Sequence, residues 1–288
     1  RNSSKLISLF GPETNSLLFA QGNIRDALHV NGIVTHIIHG ASATSSRYFV
    51  EHPAETIATA IDGTRNILNL AREKNIAGMV YLSSLEVYGN MGAHDDAIKE
   101  CESGHIDPLS VRSSYSESKR LCETLCAAYA KEFLVPVKVA RLSQTFGAGV
   151  DYEDGRVFAE FMRCAMEGRD ITLHSRGATV RTYCYTADAI AAILYILVRG
   201  NIGEAYNVSN EDTAISILDM AKLVASDITD GDISVLIDIP ENVEAFGYNP
   251  EMIVKLDCEK IRSLGWRAST NLTTMFNRMI AHIRETRS

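Results

Sequence analysis

The sequence predicts an α/β protein: a doubly wound parallel sheet followed by a smaller, mixed α/β lobe. Three observations carry this. Short apolar runs alternate with helical patterns through the first half of the chain, the loops between them are short, and polar side chains gather just after the apolar runs. The 288 residues, 46% of them hydrophobic, are enough to bury one large core, or a large domain with a smaller one.

Each element has its own signal. GIVTHIIHGASA, residues 32–43, is an apolar run ending in small residues, as a parallel strand does on entering a tight loop. From Pro53 to Lys74 the pattern turns helical, with Ile57, Ile61, Ile67, Leu68 and Leu70 recurring near three- and four-residue spacing. AGMVYLSS is the next strand, and a polar loop at 90–110 follows. Residues 112–133 form a long helix with Leu121, Leu125, Ala128 and Tyr129 on its apolar face. VPVKVARLSQTFG, residues 135–147, is expected to be one strand, entered at Pro136 and left at Gly147. Strand, helix, strand, helix, strand with short connections implies right-handed parallel units and a Rossmann-like sheet. Beyond Gly147 the rhythm loosens. Helices at 156–167, 186–199, 216–228 and 271–286, with strands ITLH and EAYNVS, are assigned mainly to the smaller lobe.

Composition excludes some functions. The net charge is −8 with both signs interspersed, which argues against a nucleic-acid surface, although a few local arginines can still bind a small anion. Cys101, Cys122, Cys126, Cys164, Cys184 and Cys258 show no CxxC pair and no metal-ligand spacing, so they read as buried free thiols of a reducing compartment. No apolar run approaches ~20 residues and no signal-peptide pattern is present, so no membrane span is expected and the expected location is cytoplasmic.

The chemistry is concentrated in SSYSESK, residues 113–119. Tyr115 and Lys119 are four residues apart on a helix and share a face. A tyrosine ionises near ~10 and is a poor base at neutral pH, but a neighbouring ammonium favours the phenolate. Such a pair can take a proton from a sugar hydroxyl while a hydride leaves the same carbon. The same spacing also occurs on ordinary amphipathic helices. Ser84, in SSLEVYG at the carboxyl end of a strand, adds a hydroxyl where α/β sheets place their chemistry.

S-x-x-V-Y-G followed some thirty residues later by Y-x-x-x-K resembles the extended short-chain dehydrogenase/reductases, specifically the NAD-dependent epimerase/dehydratase family. RLSQTFGAGVDYEDGRVFAEF and RTYCYTADAIAAI resemble later blocks of UDP-glucuronate decarboxylases and dTDP-glucose 4,6-dehydratases. The resemblance implies an NAD-binding domain at 1–147 and a mainly substrate-binding lobe at 148–288 that returns some segments to the first. It implies Tyr115 as base, Lys119 as its tuning group and ribose ligand, and Ser84 as the group that positions the sugar hydroxyl. Asn23 and Ile24 would read the adenine, and Gly40, Ala41 and Ser42 would let backbone approach the cofactor. Gln144, Arg156, Val157 and Arg181 would hold the nucleotide sugar, with Arg181 on the diphosphate, a task suited to guanidinium. Asp188 is expected to brace the helix that follows it. The resemblance further implies NAD, with NADP left open by Arg1, and a homodimer built on the 51–74 and catalytic helices.

Three departures stand out. The family opens with a strand, a G-x-x-G-x-x-G loop and a helix that cradle the pyrophosphate. That motif is absent from the sequence, and the expectation is that roughly forty more residues precede Arg1 in the natural protein. GAGVDYEDG, residues 147–155, has the wrong spacing and is a decoy. Ala60 stands where relatives carry a bracing asparagine. Leu85 stands where dehydratases carry an aspartate and decarboxylases a serine, beside Glu86. Leu85 cannot donate a proton, so 4,6-dehydration by the usual route is disfavoured, while Glu86 could act as a base next to a ketone. The expected activity is an NAD-dependent change to a nucleotide sugar through a transient ketone, epimerisation foremost. The alternatives are a UDP-uronate decarboxylase or dehydratase, and a silent nucleotide-sugar binder.

Overall fold

The computed structural model describes residues 3–92, 96–239 and 252–287; the expectation for Arg1 lies outside them. The chain begins with helix α1 (Ser3–Phe10), which the sequence pattern did not predict. An extended, turn-rich stretch leads to β1 (His36–His39), a short helix α2 (Ser46–Glu51) and the long α3 (Pro53–Glu73). Pro53 at the first turn fits, since its missing N–H would be unsatisfied there in any residue. β2 (Gly78–Ser84) runs into a single 3₁₀ turn, Leu85–Tyr88, with Ser84 as its cap. α4 (Ser113–Phe133) ends at Leu134, which adopts a left-handed φ of 56°. Pro136 then forbids helix and turns the chain into β3 (Val137–Leu142).

The predicted strand at 135–147 is two strands. After Leu142 the Ser143 N–H still donates to the Val208 carbonyl (3.0 Å), and the chain then leaves for a second sheet as β4 (Gln144–Phe146). β3 is mostly buried and β4 ends on the fully buried Phe146, so nothing in the run of residues marks where the sheet changes. There follow α5 (Val157–Glu167), β5 (Ile171–Leu173), β6 (Val180–Tyr185), α6 (Thr186–Arg199), β7 (Ala205–Val208) and β8 (Asn210–Ser216). α7 (Ile217–Leu223) passes into a π turn at Val224–Ile228, so the predicted 216–228 helix changes pitch midway. β9 (Val235–Ile237), β10 (Ile253–Val254), α8 (Glu259–Ser263) and α9 (Leu272–Arg287) complete the described chain.

The first sheet is parallel in the order β1-β2-β3-β7. α3 and α4 cover one face and α6 the other, the doubly wound arrangement the sequence predicted. Small residues let α3 and α4 approach: Ala60, Gly63 and Thr64 of α3 and Cys122 and Cys126 of α4 are buried. The Cys122 thiol even donates to the Ala60 carbonyl (3.3 Å). Leu68, fully buried beneath them, contributes about 1.5–3 kcal/mol by burial. A second sheet joins β10, β6 and β4, with β8 antiparallel to β6. Its core is aromatic and Met-rich, with Phe146, Phe158, Phe161, Met275 and Phe276 buried together. All six cysteines are free; five are buried, and Cys101 is exposed against expectation because it lies in the polar loop.

Candidate active site

Chemistry gathers where β2 ends against the N-terminal turn of α4. Ser84, the last residue of β2, accepts from the Glu86 N–H (3.2 Å), and its hydroxyl favours the Tyr115 phenolate. Lys119 is buried one helical turn beyond Tyr115. Its ammonium donates to the Leu82 carbonyl (2.8 Å) and lies 4.8 Å from the Tyr81 ring centre and 5.7 Å from that of Tyr115. Ser84, Tyr115 and Lys119 are therefore brought together at the end of β2.

The electrostatics differ from the sequence expectation. Burial, and then the Glu86 carboxylate, push the Tyr115 phenol up to about 12, against the Ser84 hydroxyl and the Arg112 and Arg156 guanidinia. Burial depresses Lys119 itself to about 8, so it holds its own charge at a cost. His39, which closes β1, is hydrogen-bonded to the Thr64 hydroxyl (3.1 Å) and drops to about 4 through burial and the Lys119 charge. It is a neutral brace at working pH.

Glu86 is held at both oxygens. Arg112 donates to Oε1 (2.9 Å) and the Ser116 hydroxyl to Oε2 (3.1 Å). Leu85 is buried and apolar beside it. A cleft of about 360 Å³ opens on Glu86, lined also by Arg112, Ser116, Arg181, Met252 and Val254. Arg181, on β6, reaches the Met252 sulfur at 3.9 Å, and its Nε is buried with no partner among the described residues. An orphaned guanidinium N–H in a cleft fits an incoming anion.

The other expected residues divide. Gln144 lies on β4, paired with Tyr183. Arg156 caps α5 and is held by the Asp154 carboxylate (2.6 Å), while Val157 packs on the aromatic core. Gly40, Ala41 and Ser42 form the bend after β1, where a Cβ on Gly40 would lie 3.0 Å from Leu82 Cδ1. Asn23 caps a turn through its bond from the Arg25 N–H (3.1 Å), and Ile24 packs on Gly63. Ala60 is buried and has no polar side chain to brace with, while Asn66 donates to the Ile24 and Asp26 carbonyls (3.0 Å each) and pins this loop to α3. Asp188 accepts from the Ser269 and Thr270 N–H groups, so its carboxylate braces that segment rather than, as expected, its own helix.

Sequence reasoning missed Arg112, Ser116 and Phe49. Arg112 and Ser116 stand four apart, the same spacing as Tyr115 and Lys119, and that repeat was the available signal. Phe49, stacked on Tyr115 with ring centres 4.2 Å apart, had none. Among the described residues no cluster could hold a metal and no helix is long and apolar enough to cross a membrane.

A doubly wound sheet with a Ser–Tyr–Lys constellation at the end of its second strand defines a class of dinucleotide-type α/β proteins. The chain belongs to the NAD dependent epimerase/dehydratase family, whose model matches residues 12–209. It is 35% identical over 193 residues to UDP-glucuronic acid decarboxylase 1 of Danio rerio, covering 67% of this chain and 45% of that protein. It is 31% identical over 254 residues to the Xenopus tropicalis protein of that name, covering 88% and 57%. The chain thus spans about half the length of the curated relatives it matches. Among solved structures it resembles a dTDP-glucose 4,6-dehydratase from Streptomyces venezuelae with NAD and TYD bound. There the TM-score is 0.80 and the identity 22%, over 99% of this chain and 84% of that one. A UDP-glucose 4-epimerase from Thermotoga maritima with UDP-glucose gives a TM-score of 0.76 and 22% identity, over 88% and 78%. At this identity the structures speak for the fold.

Proposed function

We propose that the chain carries the active site of an NAD-dependent enzyme that alters a nucleotide sugar through a transient ketone, with epimerisation as the first reading. The observation that supports it most is the assembly of Ser84, Tyr115 and Lys119 with a braced Glu86 beside an apolar Leu85. The small-residue bend at Gly40–Ser42, Ile24 against α3, and the Lys119 ammonium at the sheet's carboxyl edge fit a dinucleotide lying across that edge. Bound NAD would supply the hydride acceptor and a fixed positive charge. Ser84 holds the sugar hydroxyl, Tyr115 takes its proton as the hydride leaves carbon, and Lys119 favours the phenolate once the site is closed. Arg181, whose Nε has no partner among the described residues, binds the diphosphate. Glu86 faces the cleft and exchanges a proton at the carbon next to the ketone. Protonation of that carbon on its opposite face inverts it, and the ketone would then be reduced again on the face from which hydride left, giving the epimer.

Decarboxylation of a UDP-uronate is the second reading, favoured by the names of the relatives. Leu85 counts against this second reading, and it also withholds the acid that dehydration needs. A pair of copies joined through α3 and α4, which leave Ile57 and Leu121 exposed, is part of the reading. Light scattering tests that pairing.

The functional test is product mass and sugar NMR after incubation of the full-length protein, NAD or NADP, and UDP-, dTDP-, GDP- and CDP-sugars. Unchanged mass with inverted stereochemistry supports epimerisation, loss of carbon dioxide supports the second reading, and loss of water refutes the role given to Leu85. Tight binding without conversion would indicate a silent binder.

A further inference from the structure

Two of the groups that would move protons, Glu86 and Tyr115, share a neighbour that the proposed chemistry does not use. Arg112 stands at the N-terminus of α4 and donates from Nη2 to Glu86 Oε1 at 2.9 Å. Its guanidinium also lies 5.2 Å from the centre of the Phe49 ring, within reach of a cation–π contact. Phe49 in turn stacks on Tyr115 at 4.2 Å and 9° between planes. The Ser114 hydroxyl donates to the Phe49 carbonyl (3.2 Å), fixing α2 to the same helix turn. Ser116, one turn after Arg112, closes the other oxygen of Glu86 at 3.1 Å. With side chains only 24% and 23% exposed, Arg112 and Glu86 form an ion pair sheltered from solvent, unlike the surface pairs elsewhere in the chain.

We infer that Arg112 is a positioning residue of this site: it fixes the Glu86 carboxylate and, through Phe49, seats the Tyr115 ring, so that one cation sets the geometry of both groups. The inference rests on the reading of Glu86 and Tyr115 given above. The charged and titratable groups facing Tyr115 are Glu86 from the 3₁₀ turn, Tyr81 from β2, Arg112 and Lys119 from α4, and Arg156 at the start of α5. α2 presents the Phe49 ring. Arg112 stands close to Tyr115 with opposite charge to the phenolate and Glu86 with like charge, so their removal has opposite effects on its ionisation.

The test uses the full-length protein with 3-fluorotyrosine incorporated, which brings tyrosine ionisation into a milder pH range. The Tyr115 fluorine signal is assigned by its loss in Tyr115→Phe and titrated by NMR. Arg112→Met should raise its midpoint by about one pH unit and Glu86→Gln should lower it by a similar amount. The double variant should return toward the wild type, and Arg112→Lys should recover part of the change. With NAD and UDP-glucuronate or UDP-glucose, the acid limb of kcat should move the same way, with kcat falling on the order of tenfold and KM changing far less. A midpoint unmoved by Arg112→Met, or two variants that shift it in the same direction, would overturn the inference. If Arg112→Met does not fold, Ser116→Ala removes one arm of the clamp, and an unmoved kcat and midpoint there also count against it. Wild-type protein that turns over neither sugar would speak against the function, while the titration would still decide the role of Arg112.

Discussion

Lys119→Met separates what the site requires from what the fold would prefer. In the folded chain burial depresses Lys119 from 10.5 to about 8. That gap of about 2.5 pH units, at 1.36 kcal/mol each, means the folded state carries a cost of about 3 kcal/mol while both states are protonated. The sign follows from proton counting. Below pH 8 the cost is complete. Between about 8 and 10.5 the unfolded chain binds more protons than the folded one, so wild-type stability gains from this site as pH rises. Methionine removes the charge and its cost, but leaves the Leu82 carbonyl without the 2.8 Å donor, a loss of about 1–3 kcal/mol. The variant should therefore equal or exceed the wild type by up to about 2 kcal/mol at pH 7. By pH 10.5 it should be less stable by about 1–3 kcal/mol. Urea unfolding of both proteins at intervals from pH 7 to 10.5 measures this, and titrations common to both cancel in the difference. A stability difference that stays constant across that range would refute the reasoning. Turnover should be lost in the variant throughout.

Three other perturbations test neighbouring claims. Tyr115→Phe should lower turnover by about 10²–10⁴-fold while NAD and nucleotide binding, followed by calorimetry, change little. Arg141 and Glu123 form a buried pair at 2.7 Å, their side chains 14% and 12% exposed, that also holds Ser83 and Tyr88. Arg141→Met should cost about 3–5 kcal/mol in urea unfolding by stranding Glu123, and replacing both by apolar residues should recover much of it. Gly63→Ala would put a Cβ 2.9 Å from Ile24 Cγ2. Helix propensity gains and the loop yields, so stability should change by less than about 1 kcal/mol. NAD affinity should nevertheless fall on the order of tenfold if Ile24 lies at the adenine, and an unchanged Kd would remove Ile24 from that role.

Sequence alone determined the layered architecture, because periods of two and 3.6 residues are local properties of the chain. It also placed Tyr115 and Lys119 on one helix face, and Ser84 at a strand end, because each depends on spacing along a single element. Polar NEDTAIS gave no strand signal, yet β8 forms because β6 offers it an edge. The break at Ser143 was hidden, since both halves read as strand and the sheet that each joins is set by its tertiary partners. The bracing of Glu86 by Arg112 and Ser116 and the stacking of Phe49 on Tyr115 join residues 26 to 66 positions apart, and the cleft brings Arg181 to Glu86 across 95. Only tertiary structure could decide them. It also reversed the expected electrostatics of Tyr115, because desolvation is set by what the fold packs around the phenol, and no spacing in the sequence records that.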